Sequence, residues 1–424
     1  MQKNDIEKIV LDNGVRIVTE KVPGVRSVAM GIWVGAGSRY ENEDNAGITH
    51  FIEHLMFKGT EKRTATEIAE ALDSVGGQLN AFTTKELTCY YAKTLDEHFP
   101  VALDVLSDMF FNSRFDPQAI EKERGVVEEE IKMYEDTPDD LIHDLFVQTV
   151  WPNHPLGKPI LGTIESLEGI DRDKIMDYIS NNYLPERIVI SIAGNIEHKA
   201  IQEQVGQVFS KLKNDRKPKK LQPPVEDEAH ISNLKKDTGQ VQICLGTVGL
   251  SQHDERIYTV NVLNSVLGGG LSSRLVQAIR EERGLAYTVF CYHTAFSDTG
   301  LFTFYAGTSP QKYDEVITLL LKEIDKVVKD GITEKELNKA KEQIKGGLFL
   351  GLENVSSRMT RTGRNLLCLD RIISPEEVVE KVSKITLQDV HVIAKELFEN
   401  RELSLSTIGP LDKAVDLAKY KGKL

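Results

Sequence analysis

Ala46-Gly47-Ile48-Thr49-His50-Phe51-Ile52-Glu53-His54-Leu55-Met56-Phe57-Lys58-Gly59 contains no proline and carries apolar side chains at 48, 51, 52, 55, 56 and 57. That spacing predicts a mostly buried helix. On a helix, positions i and i+4 lie one above the other and i+3 lies beside them. His50, Glu53 and His54 therefore converge on one spot. An i,i+4 histidine pair also arises by chance in a chain of 424 residues. Three unpartnered titratable groups on a buried helix are costly, however, and so ask for a use. Two imidazoles and a nearby carboxylate are the components of a hydrolytic zinc site, two ligands and a base. Catalytic zinc usually takes three protein ligands, so a third is expected elsewhere in the chain.

Outward from this stretch, the chain is too long for one ordinary core, and two or more domains are expected. Hydrophobic content of 40% and charged content of 28% are those of a soluble globular protein. The net charge of −13 argues against nucleic-acid binding, which favours a basic face, and would suit cationic substrates. Cys89, Cys244, Cys291 and Cys368 are scattered without C-x-x-C spacing, as free thiols in a reducing compartment would be. The N-terminus shows neither a signal-peptide apolar core nor a transit-peptide composition, and no apolar run is long enough to span a membrane. A cytoplasmic protein is expected.

Residues 8–20 predict two short strands around the turn Asp12-Asn13-Gly14, and 27–36 predict a longer apolar strand. The helix carrying His50 follows, and Thr64-Ala65-Thr66-Glu67 is a capping box that opens another. Residues 78–84 and 87–94 read as a hairpin. Helix dominates from Leu95 to Phe111, from Asp116-Pro117 to Met133, and over 137–150 and 171–183; 187–194 is a strand. Residues 211–228 carry three prolines and blocks of both charge signs, as a solvated linker does.

After the linker the plan recurs. Strand 240–248 matches 27–36, helix 257–267 matches the histidine helix, and strands 287–294 and 298–307 match the hairpin. A capping box at Thr333–Glu336 opens a helix matching the one after Asp116, and 403–408 matches 187–194. The expected fold is α+β: two tandem homologous domains, each a mainly antiparallel sheet with helices packed on one side. The expected division is 1–210, a linker over 211–230, and 231–424. Laid on Ile257–Gly270, the positions of His50, Glu53 and His54 fall on Asn261, Asn264 and Ser265. The second copy keeps the helix and lacks the titratable cluster, which a purely structural role would not predict.

The helix after Asp116 holds Glu121, Glu123, Glu128, Glu129 and Glu130. Positions 123 and 130 are seven apart and share a face to within about 20°. One or both could face the histidines, or the run is a solvated acidic face; their counterparts in the second copy are Ala340 and Gly347.

Several segments occur together in order: GIWVGAGSRYENEDNAGITHFIEHLMFKGT (31–60), LNAFTTKE (79–86), ERGVVEEEIKMYEDTPDD (123–140), HPLGKPILGT (154–163), VLGGGLSSRL (266–275) and REERGLAY (280–287). The order H-x-x-E-H is the inverse of the H-E-x-x-H zinc-protease motif. Over essentially its whole length the chain resembles the pitrilysin-type inverted zincins, in particular the bacterial branch similar to mitochondrial processing peptidase. The resemblance implies a zinc-dependent endopeptidase of short or unfolded peptides, with one Zn2+ per chain held by His50, His54 and Glu130. It implies Glu53 as general base and Glu123 as a second carboxylate near the metal that supports catalysis. Arg280 would hold the substrate backbone and Tyr287 would stabilise the oxyanion. Asn80, Ala81 and Phe82 would form an edge strand to which a peptide substrate adds as a β-strand. Relatives of double length enclose a chamber with four such domains, so a homodimer is expected here, with Arg280 and Tyr287 reaching the partner's zinc. Gly268-Gly269-Gly270 is assigned no catalytic role. The alternative is a non-catalytic peptide-binding or scaffold subunit; such subunits typically lose the His/Glu set, which this chain retains.

Overall fold

The computed structural model describes residues 5–213, 216–225, 229–399, 402–412 and 417. Residues 214–215 and 226–228 of the expected linker lie outside the described residues. The first sheet contains β1 (Ile6–Val10), β2 (Arg16–Lys21), β3 (Ser27–Val34), β4 (Gln78–Thr83), β5 (Thr88–Leu95) and β6 (Ile188–Gly194), in the spatial order β1-β2-β6-β3-β5-β4. The second contains β7 (Ile231–Lys235), β8 (Val241–Gly249), β9 (Ala286–Ala295), β10 (Gly300–Thr308) and β11 (Ser404–Gly409), in the order β7-β11-β8-β10-β9. The pairs β2/β6 and β7/β11 are parallel. All other pairs are antiparallel. The duplication is therefore visible as topology: β2-β6-β3-β5-β4 repeats as β7-β11-β8-β10-β9, and β1 is an addition to the first copy.

Helices α1 (Ile48–Leu55), α2 (Ala65–Asp73), α3 (Phe99–Asn112) and α4 (Pro117–Glu135) belong to the first half. The Thr64/Glu67 capping box opens α2, and the Asp116 carboxylate meets the Gln118 N–H at 2.9 Å at the start of α4. Val28, Met30, Ile32 and Val34 alternate along β3 toward one face, where they join Ile48, Phe51, Ile52 and Leu55 of α1 in a single core. β6 is buried at all its positions, as a strand covered on both faces must be.

The second face of the first sheet is covered by a helix from the second half of the chain. Val355, Met359 and Leu366 of helix Val355–Leu369 pack on Ala29, Trp33, Val189 and Ala193. The fit is close, since a Cβ at Gly363 would lie 2.3 Å from the Trp33 indole nitrogen. Arg16 donates to the Leu366 carbonyl at 2.9 Å and Ser191 to the Met359 carbonyl at 2.7 Å. Reciprocally, α5 (Pro138–Val150), from the first half, lays Ile142 and Phe146 against Cys244, Tyr305 and Ile408 of the second sheet. The described residues thus fall into two compact units, one within Met1–Ile131, Lys158–Gln222 and Leu350–Ile373 and the other within Lys132–Gly157, Pro223–Phe349 and Ser374–Leu424. The four cysteines are free thiols, three of them buried. No helix among the described residues is long and apolar enough to cross a membrane.

Candidate metal centre

α1 has only eight residues, too few to be helical alone. Tertiary contacts hold its N-terminus. Gly47 adopts φ 88°, and a Cβ there would lie 2.6 Å from the Leu161 carbonyl oxygen, so both the conformation and the space require glycine. Both oxygens of the buried Glu41 carboxylate accept backbone N–H groups, from Gly47 at 2.7 Å and Thr49 at 2.9 Å. They satisfy donors that a helix start leaves open, beside the positive end of its dipole. Burial pushes the Glu41 carboxyl up to about 7, against the hydrogen bonds from Thr49 and Gly47 that favour its charge. The Thr49 hydroxyl meets the Tyr178 hydroxyl at 2.7 Å.

With α1 fixed, His50 and His54 lie with ring centroids 4.5 Å apart. The third group comes from α4, whose buried residues are Ile120, Glu123, Val127 and Ile131. Burying that stripe turns Glu123 and Glu130 toward α1 and leaves Glu129 exposed. Glu130 Oε2 is 3.9 Å from His50 Nε2 and 3.5 Å from His54 Nε2. One ligand atom from each of His50, His54 and Glu130 lies within 4.8 Å of the others. Glu123 is only 3% exposed. It accepts from His54 Nδ1 at 2.9 Å and from Lys58 Nζ at 2.8 Å. With Nδ1 donating to Glu123, the Nε2 lone pair of His54 faces the Glu130 carboxylate. One lone pair on the imidazole and one on the carboxylate oxygen repel each other unless a proton or a metal cation lies between them. The donor set is the one zinc takes, and a carboxylate behind the histidine is the usual orienting partner of a metal-binding imidazole. The residues present therefore fit a zinc ion.

At His50 the electrostatics favour the neutral ring, and at His54 the surrounding carboxylates favour the charged one. Burial, with a smaller contribution from His54, pushes His50 down to about 4, so it is neutral near pH 7, as a ligand must be. Burial opposes charge on His54 as well, but the Glu123 hydrogen bond and the nearby Glu130, Glu123 and Glu53 carboxylates outweigh it and raise its pKa. Burial raises the Glu53 pKa against a hydrogen bond from Thr83, whose hydroxyl meets Glu53 Oε2 at 2.5 Å. Burial would raise Glu123 too, yet its bonds to His54 and Lys58 prevail and hold it below the usual range.

The other expected site residues fall in two places. Asn80, Ala81 and Phe82 lie on β4, the edge of the first sheet. The Ala81 N–H is met by Asn80 Oδ1 at 2.8 Å. The Phe82 ring packs edge-on against Trp33 at 5.7 Å, on the sheet face opposite α1. Its side chain thus belongs to the core of that face, leaving its backbone at the edge. In the second unit, Arg280 sits in the π-helical segment Val276–Glu281, with its guanidinium 5.2 Å from the centroid of the Tyr287 ring. Tyr287 is 78% exposed. These two are brought together. The contacts of Thr83, Lys58 and Glu41 have no sequence signal, because each joins segments unrelated by helical or strand spacing.

A two-copy α+β fold with an inverted His-x-x-Glu-His helix and a distal glutamate defines a zinc-peptidase architecture. Residues 16–164 match the family model described as insulinase (peptidase family M16), and residues 169–344 match that of the peptidase M16 inactive domain. The chain is 47% identical to an uncharacterized zinc protease of Bacillus subtilis, over 96% of this chain and 98% of that one. It is 40% identical to an uncharacterized zinc protease of Streptomyces coelicolor, over 96% and 90% of the two chains. A solved protease from Helicobacter pylori superposes with a TM-score of 0.88 at 23% identity, covering 96% of this chain and 99% of the other. The chain belongs to peptidase family M16.

Proposed function

We propose that the protein is a zinc-dependent endopeptidase that hydrolyses short or unfolded peptides, in the bacterial processing-protease branch of its family. The observation that carries this reading is the convergence of His50, His54 and Glu130, with Glu53 beside them. His50, His54 and Glu130 are assigned as the ligands of one zinc ion per chain. Zinc held there would supply a Lewis acid that lowers the pKa of water toward about 7. The chain's own residues do the rest. Glu123 holds His54 in the tautomer that leaves Nε2 free, and Lys58 keeps Glu123 charged. Glu53 accepts a proton at its carboxylate and delivers it to the leaving amine. A peptide adds to β4 by main-chain hydrogen bonds from 80–82, and alternate side chains turn away from the base. Arg280 and Tyr287 are assigned to the peptide carbonyls as hydrogen-bond donors. A cytoplasmic homodimer is the proposed assembly. The complete His/Glu set in the first half weighs against a non-catalytic scaffold.

The test is a mixed library of unstructured peptides given to the zinc-loaded protein. Cleavage that stops on chelation and returns with added zinc is the expected outcome. Intact peptides alongside one bound zinc per chain would contradict the reading.

A further inference from the structure

Glu53 needs more than a place on α1 to serve as a base. Its carboxylate must also be held at one rotation about its terminal bond, a torsion with broad, shallow preferences. Among the described residues the only hydrogen bond to that carboxylate comes from Thr83, whose hydroxyl meets Oε2 and leaves Oε1 uncommitted. Thr83 is well placed to be rigid. It is the last residue of β4, paired with Thr88 of β5, and its β-branched side chain is stiff at χ1. The turn that follows is tied down at several points: Thr84 N–H to the Leu87 carbonyl at 2.8 Å, Ser38 N–H to the Thr84 carbonyl at 3.2 Å, and Arg39 N–H to the Lys85 carbonyl at 2.8 Å. Strand alternation sets which residue does this. Asn80 and Phe82 point to one face, while Ala81 and Thr83 point to the face that carries α1.

We infer that Thr83 is a positioning residue that fixes the Glu53 carboxylate and couples it to the edge strand. This rests on the reading of Glu53 as the base. The strand that would receive the peptide is the strand that orients the base, so a shift of β4 on peptide binding is transmitted to Glu53 through one hydroxyl. Removing that hydroxyl frees the carboxylate without touching a metal ligand. The loss then falls on turnover and not on peptide affinity.

The experiment compares wild type with Thr83→Val, Thr83→Ser and Thr83→Ala, with Glu53→Gln in parallel. Thr83→Val, nearly isosteric, is expected to lower kcat about 10- to 100-fold, part of what a well-placed general base contributes, with KM within about twofold and bound zinc unchanged. Thr83→Ser restores the hydroxyl and should recover most of kcat. In crystals of the metal-free variants, the Glu53 carboxylate should keep its orientation in Thr83→Ser and rotate in Thr83→Val. Thr83→Ala serves for Thr83→Val should the latter misfold. Wild-type kcat in Thr83→Val, or an equal loss in Thr83→Ser, would overturn the inference. Full activity in Glu53→Gln would instead overturn the reading of the base itself.

Discussion

Glu123 shows how a residue outside the proposed ligand set would bear on a zinc ion held by His50, His54 and Glu130. It is buried, and its charge is held by His54 on one oxygen and Lys58 on the other. Glu123→Ala is expected to lower zinc affinity about 10- to 100-fold, read by competition with a chelator of known affinity. Unchanged affinity would mean that His54 needs no partner. The histidines and Glu53 were legible in the sequence because their relation is helical and local. From spacing alone Glu123 and Glu130 were legible only as members of an acidic run, and it was the family resemblance that singled them out. Spacing says that they share a face, but which face turns inward is decided by Ile120, Val127 and Ile131 sinking into the core. Thr83 stands 30 residues from Glu53 and was not legible as its partner at all.

At the scale of the element, α1 depends on its cap. Glu41→Ala leaves two buried N–H groups without acceptors and should cost about 1–3 kcal/mol in denaturant titration. Because the same turn aims His50, zinc retention should fall with it. Gly47→Ala should be at least as severe, since it adds a Cβ against the Leu161 carbonyl to a left-handed backbone. Wild-type stability in both variants would show that the helix start is held by something else. The apolar spacing in α1 was readable, and so were the capping boxes at Thr64 and Thr333, which form as expected. The Glu41 cap was not, because a carboxylate reaching across a loop leaves no periodic trace.

Across the whole molecule, the duplication was legible as a recurring order of elements, and apart from β1 the two sheets repeat one spatial order of strands. The exchange of helices was not legible. Helix Val355–Leu369 has an apolar stripe, and it is tertiary contacts that place it, among them the close fit of Met359 and Gly363 around Trp33 and Gly31. Gly363→Ala should therefore lower the melting temperature, and an unchanged value would contradict that close packing. Burial pushes His293 down to about 4, and its Nε2 accepts the Leu250 N–H at 3.0 Å, which requires the neutral ring. Its contribution is fully present above the unfolded value of about 6.5. It is lost as pH falls from there toward 4, because the unfolded chain binds the proton first. Against His293→Gln measured in parallel, wild type should lose up to about 3 kcal/mol of relative stability over that window. A flat difference would place the ring in water.

Bound zinc and peptide cleavage measured together, in wild type and Glu53→Gln, are the sharpest test of the zinc-peptidase assignment. The expected result is one zinc per chain in both proteins and cleavage by wild type alone, because the substitution removes the base and leaves His50, His54 and Glu130 in place. Cleavage by Glu53→Gln at the wild-type rate, or the absence of zinc from a folded wild type, would contradict it.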